Sequence, residues 1–179
     1  TMRALPLLSA FVALSVACGS EGTSSTSEWA WELSGNFLPP RVPEDNPMSV
    51  EKVELGRFLF YDTRLSGNET QSCASCHLQE LAFTDGRALA EGSTGEIHPR
   101  SSMMLANVGY AASLTWASNV LEELEEQALI PMFGETPVEL GMAGLEDELL
   151  RRMREDDRYP EMFASAFPGE GDPITVGNI

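Results

Sequence analysis

Cys73-Ala74-Ser75-Cys76-His77 is the stretch that decides how this chain is read. C-x-x-C-H is the attachment signature of a c-type haem. The spacing follows from chemistry. Two thiols add to the two vinyl groups on one edge of a porphyrin, and the adjacent imidazole turns under the ring to ligate iron. Three other uses of the pattern fit less well. A redox dithiol sits in a βαβ setting, and no segment here shows sustained strand alternation. A structural zinc needs a second ligand pair, and only His98 remains. A disulfide of this spacing leaves His77 unexplained. The expected cofactor is therefore one haem c, bound through Cys73 and Cys76, with His77 as the iron ligand.

On the N-terminal side of the motif, Pro39, Pro40, Pro43 and Pro47 keep residues 38–48 extended. Ser49 offers an N-cap, with Glu51 in the first turn. Val50, Val53, Leu55, Phe58, Leu59 and Phe60 recur at helical spacing to about Tyr61. Ser66-Gly67-Asn68 reads as a turn. Beyond the motif, residues 79–101 are loop-like, with Gly86, Gly92, Gly95 and Pro99. Asn119 can cap a second helix with Leu121, Leu124 and Ala128 on one face. Glu122, Glu123, Glu125 and Glu126 form its solvated face, and Pro131 is expected to stop it. A third helix is expected from about Leu145 to Arg154, and a short one from Tyr159 to Phe167. The expected fold is mainly α, a cytochrome c-like haem domain with long loops. Loops of that length need a surface to pack on, and a haem supplies a large apolar one.

The chain has 179 residues, 28 acidic and 11 basic, for a formal net charge of −17. Lys52 is the sole lysine. Hydrophobic residues make up 42%, which excludes a disordered polyampholyte. The acidic balance excludes nucleic acid as a partner, because no basic stripe is present to neutralise phosphates. It likewise excludes docking by charge onto an anionic membrane surface, and it is compatible with a basic redox partner. Residues 1–17 read as a signal peptide, with an apolar run from Leu5 to Ala17 too short to span a bilayer. Leu14-Ser15-Val16-Ala17-Cys18 resembles a bacterial lipobox, with Ser15 a departure from its usual aliphatic residue. Cys18 is the expected lipidation site, and a lipid anchor the only expected link to the membrane. Residues 18–36 read as a flexible tether, and 37–179 as the haem domain. The implied location is periplasmic or otherwise extracytoplasmic.

A longer series of residues carries a resemblance. It runs Leu55-Gly56-Arg57-Phe58-Leu59-Phe60-Tyr61-Asp62, Arg64-Leu65-Ser66, Cys73 to His77, and Phe83-Thr84-Asp85-Gly86. It continues through Gly92, Pro99-Arg100, Leu105-Ala106-Asn107, Thr115-Trp116, Glu125 to Ala128, Pro131 and Glu139-Leu140-Gly141. Tyr159-Pro160 and Phe163 to Phe167 fit as well. The series resembles the N-terminal domain of bacterial di-haem cytochrome c peroxidases and MauG-type enzymes. Gly92 to Arg100 further resembles the subgroup of methanobactin-associated di-haem enzymes. The resemblance implies an oxidoreductase that reduces hydrogen peroxide, or uses it to oxidise a side chain of a partner protein. It implies a small redox protein as electron donor in the first case. Gln127 and Glu139 match the residues over the peroxidatic haem, where such groups help split the O–O bond by moving a proton. Trp116 matches the tryptophan between the two haems, an electron relay; its plain alternative is a core aromatic. The plain alternative for Glu139 is stabilisation of a helix N-terminus, and for Gln127 a helix-surface position.

The departures from the family also carry information. There is one C-x-x-C-H, so the second haem and its C-terminal domain are expected beyond Ile179. His98 lies in the loop where several relatives carry a sixth ligand, but offset from it, so it reads as a surface or neighbouring polar residue. Ser101 stands where the family often has an Asn contributing to a calcium site, which counts against calcium. The rival reading is a mono-haem electron carrier without catalysis, for which Met103, Met104, Met132 and Met142 are candidate sixth ligands by residue type.

Overall fold

The structure is a computed structural model that describes Thr1, residues 26–116 and 120–179. Residues 2–25, with Cys18, and the proposed cap Asn119 lie outside the described residues.

Five helices build the domain among the described residues: α1 (Val50–Phe60), α2 (Cys73–Cys76), α3 (Leu124–Phe133), α4 (Glu146–Glu155) and α5 (Tyr159–Ala166). Among the described residues, strand-type pairing is confined to isolated bridges such as Leu78 with Thr84 and Glu91 with Ile97. The mainly α reading therefore holds. The Ser49 hydroxyl caps α1, accepting from the Lys52 N–H at 3.1 Å. α4 carries Glu146, Asp147 and Glu148 in its first turn and Arg152 and Arg154 in its last, so both ends complement the helix dipole.

One core joins α1, α4 and α5. Leu55 and Leu59 of α1, Leu149 and Met153 of α4, and Tyr159 and Phe163 of α5 meet there, all buried. Met132 of α3, Leu140 and Met142 complete it. The segment Val138–Met142 has no regular structure, yet it is tied on three sides. Leu140 N–H donates to Pro131 O and Met142 N–H to Met132 O, both at 2.8 Å. Leu140 O accepts from Gly67 N–H at 2.8 Å, and Glu139 O from Ser93 N–H at 2.7 Å. A Cβ at Gly67 would overlap the Gly141 carbonyl, so this approach requires glycine. Arg152 closes the other side of that turn, donating to the carbonyls of Arg64, Ser66 and Gly67 at 2.8, 2.9 and 3.3 Å.

Three expectations are corrected. Pro131 does not stop α3; it lies inside the helix, which ends at Phe133. Its missing N–H removes one internal bond, while its carbonyl serves Leu140. The face of Leu121, Leu124 and Ala128 does not bury: Leu121 is half-buried, and Leu124 and Ala128 are exposed. Met132 is the buried residue of α3. Finally, defined contacts begin before Asn36. Ser27 N–H donates to both Glu51 carboxylate oxygens at 3.1 and 2.9 Å, and Val50 N–H donates to Ser27 O at 3.0 Å.

A charge network braces α5 against the end of α1. Arg64 pairs with Asp62 at 2.6 Å and with Asp156 at 2.7 Å, and the Tyr159 hydroxyl donates to Asp62 at 2.6 Å. Burial pushes the Asp156 carboxyl up, but Arg64 and the backbone N–H groups of Arg158 and Tyr159 outweigh it and hold it at about 2. A carboxyl depressed in the folded state adds stability above its unfolded value, near 3.9, and loses it as pH falls through the folded one. Arg64→Gln should therefore cost about 1.5–3 kcal/mol at pH 7 in urea unfolding. It should also flatten the loss of stability between about pH 4 and pH 2. An unchanged acid limb would remove the network from the account.

Candidate functional site

α2 is a single turn that presents both thiols. The Ser72 N–H donates to Ser75 Oγ at 3.0 Å, and the His77 N–H closes the turn on Cys73 O at 3.0 Å. Residues three apart share a helix face, so Cys73 and Cys76 project together, with Cys73 packed against the core. Burial pushes the Cys73 thiol up to about 11 and raises that of Cys76 as well.

The His77 ring is oriented from behind. Its Nδ1 lies 2.8 Å from the Phe83 carbonyl. A carbonyl can only accept, so the Nδ1–H tautomer is fixed and Nε2 keeps its lone pair for iron. The carbonyl is held by an unusual loop. Ala82 and Phe83 both occupy the left-handed region, at φ +56° and +62°, a conformation that costs of order 1–3 kcal/mol per residue outside glycine. Leu78 secures the loop, donating its N–H to Thr84 O at 3.2 Å and accepting from Phe83 N–H at 2.8 Å. Phe60 packs beside the imidazole at 6.5 Å between ring centres and edge-on to Phe83 at 6.1 Å.

A hairpin-like loop brings the second group of residues. Ala90 N–H donates to Arg100 O at 2.9 Å and His98 N–H to Ala90 O at 2.8 Å. Gly92 lets the loop lie against Val138, since a Cβ there would overlap the Val138 carbonyl oxygen. His98 Nδ1 consequently reaches to 3.9 Å from Glu139 Oε1. The His98 side chain is 14% exposed, so it is not the surface residue the sequence suggested as one option. Its Nε2 is buried and has no hydrogen-bond partner among the described residues. Burial raises the Glu139 carboxyl above its ordinary range, an effect offset in part by His98 and then by His77. Glu139 is also felt electrostatically at Cys73 and Cys76. It lies outside any helix, because α4 begins at Glu146; a helix-end role for it is therefore excluded.

The remaining candidates divide. Trp116 is 52% exposed rather than a core aromatic, and its Nε1–H donates to Ser101 O at 2.8 Å. Ser102, next in sequence, lowers the proton affinity of the Cys76 thiol in part against burial, and its carbonyl accepts from Thr84 Oγ1 at 2.9 Å. Trp116 is thus tied to the residue before Ser102. Gln127 is half-buried on α3. Met132 and Met142 are committed to the core, Met103 is half-buried and Met104 is exposed. Sequence reasoning overlooked Phe60, Ser102 and the Phe83 carbonyl, since backbone acceptors leave no side-chain signature.

Two thiols on one helix face, an imidazole with its Nε2 freed, aromatic walls and an unpartnered buried nitrogen suit a haem c. Fold and site together define a c-type haem domain. Residues 50–179 match the family of di-haem cytochrome c peroxidases. The chain is 44% identical over 133 residues to the cytochrome-c peroxidase IdrP1 of Denitromonas iodatirespirans, covering 74% of this chain and 33% of that protein. It is 33% identical over 150 residues to the methylamine utilization protein MauG of Methylorubrum extorquens, covering 82% of this chain and 41% of that one. The crystal structure of a MauG-like protein associated with microbial copper homeostasis superposes with a TM-score of 0.80 at 50% identity, over 84% of this chain and 45% of that chain. The chain belongs to the di-haem cytochrome c peroxidase family, and it spans less than half the length of these relatives.

Gly92→Ala should force the loop off Val138. A loss of about 1–3 kcal/mol is expected from overpacking, read as a lower thermal midpoint of the haem-loaded chain. Full stability would mean that the loop does not need this close approach.

Proposed function

We propose that this chain supplies the peroxidatic haem domain of a di-haem enzyme that consumes hydrogen peroxide outside the cytoplasm. The observation that carries the reading is Glu139, a carboxyl with its proton affinity raised by burial, placed where its charge is felt at His77 and both cysteines. When bound, the haem supplies an iron centre that accepts peroxide and gives up electrons to it. Cys73 and Cys76 would anchor that group through thioethers, and His77 Nε2 would bind the iron. Glu139 can hold a proton at Oε and pass it to the departing peroxide oxygen. Reduction of H₂O₂ to two waters takes two electrons and two protons, so a group that cycles its proton is required. Gln127 offers an amide N–H that can orient the peroxide without titrating. Trp116, with its indole N–H on Ser101 O, would pass electrons from a second haem elsewhere in the enzyme toward this site.

The electrons come either from a small redox protein or from a side chain of a partner protein. The similarity to MauG and to a MauG-like structure favours the second source, and that to the cytochrome-c peroxidase favours the first. For the rival mono-haem carrier, Met132 and Met142 are core residues and unsuited as axial ligands, which leaves Met103 and Met104 as its candidates. The signal segment, with lipidation at Cys18, would export and anchor the protein.

Two measurements test this reading. Replacing both Cys73 and Cys76 with Ser should abolish haem that survives denaturing electrophoresis, and retained haem would overturn the attachment. Glu139→Gln in the full-length enzyme should slow the reaction with peroxide by about 10²–10⁴-fold in stopped-flow absorbance. Wild-type rates would remove Glu139 from the chemistry.

A further inference from the structure

The proximal side of the site contains a second feature that the proposed reaction does not use. Phe60 lies against His77 with ring centres 6.5 Å apart, and against Tyr61 at 5.2 Å in an edge-to-face arrangement. Both spacings are within the range of direct aromatic contact. Tyr61 caps α1 and is 51% exposed. A continuous series of three rings therefore runs from the iron-binding imidazole to the surface. Electron transfer decays steeply with distance, so contact between rings is what makes such a series conductive. Phe60 is too hard to oxidise to hold a charge itself, and serves as the bridge between His77 and Tyr61.

The other two tyrosines provide an internal comparison. Tyr110 is 46% exposed, close to Tyr61, but its ring partner is Phe37 at 6.2 Å and its hydroxyl donates to Leu38 O. Tyr159 is 1% exposed, its hydroxyl donates to Asp62, and the guanidiniums of Arg64 and Arg158 lie over its ring at 5.2 and 5.9 Å. Exposure alone does not separate Tyr61 from Tyr110; the link through Phe60 to His77 does.

We propose that Tyr61 is a peroxide-dependent oxidation site at the surface end of a Phe60-bridged path from His77. The proposal rests on haem binding at His77. Tyr61 gives up one electron, through Phe60 and His77, to the peroxide-oxidised centre, and its phenolic proton passes to water. Two such phenoxyl radicals on separate molecules couple through ring carbons beside the hydroxyl, and the two displaced ring hydrogens return to oxygen. One H₂O₂ takes both electrons at one site. Tyr61 of that molecule gives the first, is restored by Tyr61 of a second molecule in contact with it, and gives the next. One H₂O₂ and two Tyr61 are thus consumed, and two H₂O and one Tyr61–Tyr61 carbon–carbon bond are formed. The path would drain oxidising equivalents when no electron donor is present.

The test treats the haem-loaded chain with hydrogen peroxide, without donor, and follows it in three ways. Haem absorbance reports whether peroxide reacts, freeze-quenched paramagnetic resonance detects a tyrosyl radical, and peptide mapping locates the crosslink. The expected result is a tyrosyl signal with dityrosine at Tyr61, and little at Tyr110. Tyr61→Phe should eliminate both while leaving covalent haem and the absorbance change intact. Phe60→Leu, which retains an exposed Tyr61, should lower the yield, and Tyr110→Phe should not. An absorbance change with modification confined to Trp116 or Tyr110 would overturn the Tyr61 proposal and leave the peroxidatic reading standing. No absorbance change would overturn both.

Discussion

The short segment Val138–Met142 is the constraint that the rest of the domain depends on. It belongs to no helix, yet its backbone bonds reach α3 through Pro131 and Met132, the first turn region through Gly67, and the hairpin-like loop through Ser93. Leu140 and Met142, 5% and 0% exposed, seat it in the core. Glu139 is immediately before Leu140, so its position is set by buried backbone bonds on both sides. An unmade bond of this kind costs more than a made one contributes, and four of them act on five residues. A titratable group on an irregular segment is thereby held as firmly as one on a helix.

The two sides of the site are stabilised differently. On the Glu139 side, close approach is permitted by glycine: Gly92 against Val138 and Gly67 against Gly141. On the His77 side, the Phe83 carbonyl is aimed by a left-handed pair, Ala82 and Phe83, that glycine does not relieve. The strain there is offset by bonds from Leu78, Thr84 and the imidazole itself. What results is one tautomer of His77 and one free ring nitrogen. An imidazole that has its tautomer chosen by the fold presents the same nitrogen whether or not iron is bound, which suits a ligand joined to a covalently attached group.

Much of this was legible in the sequence, and the reasons for the rest are physical. The haem motif specifies chemistry directly, because no other group needs two thiols and an imidazole at that spacing. Helices α1, α4 and α5 were readable because Leu55 and Leu59, Leu149 and Met153, and Tyr159 and Phe163 all face the same core at period four. Helix α3 was misread for the same reason. Its apolar residues obey the periodicity, but Leu124, Leu129 and Ile130 are 40%, 45% and 45% exposed. Periodicity reports that a face is apolar and says nothing of what lies against it. Nor could the sequence place Ser27 against Glu51 or His98 against Glu139, since both contacts arise from loops whose path is fixed by backbone bonds.

The misread helix bears on how the site is held. Apart from its last turn, α3 has little buried surface, with Met132 its buried residue. It is therefore attached to the domain chiefly by Met132 and by the carbonyls of Pro131 and Met132, which bond Leu140 and Met142. Gln127 lies one turn before Pro131, and Glu139 one residue before Leu140. The two residues are thus linked through the two hydrogen bonds that join α3 to Leu140 and Met142, while Glu139 is held in addition through Ser93 and Gly67. Pro131 makes the arrangement directional. With no N–H of its own it cannot bond the Gln127 carbonyl, so the helix is loosened at Gln127 while its far end is fixed to Leu140.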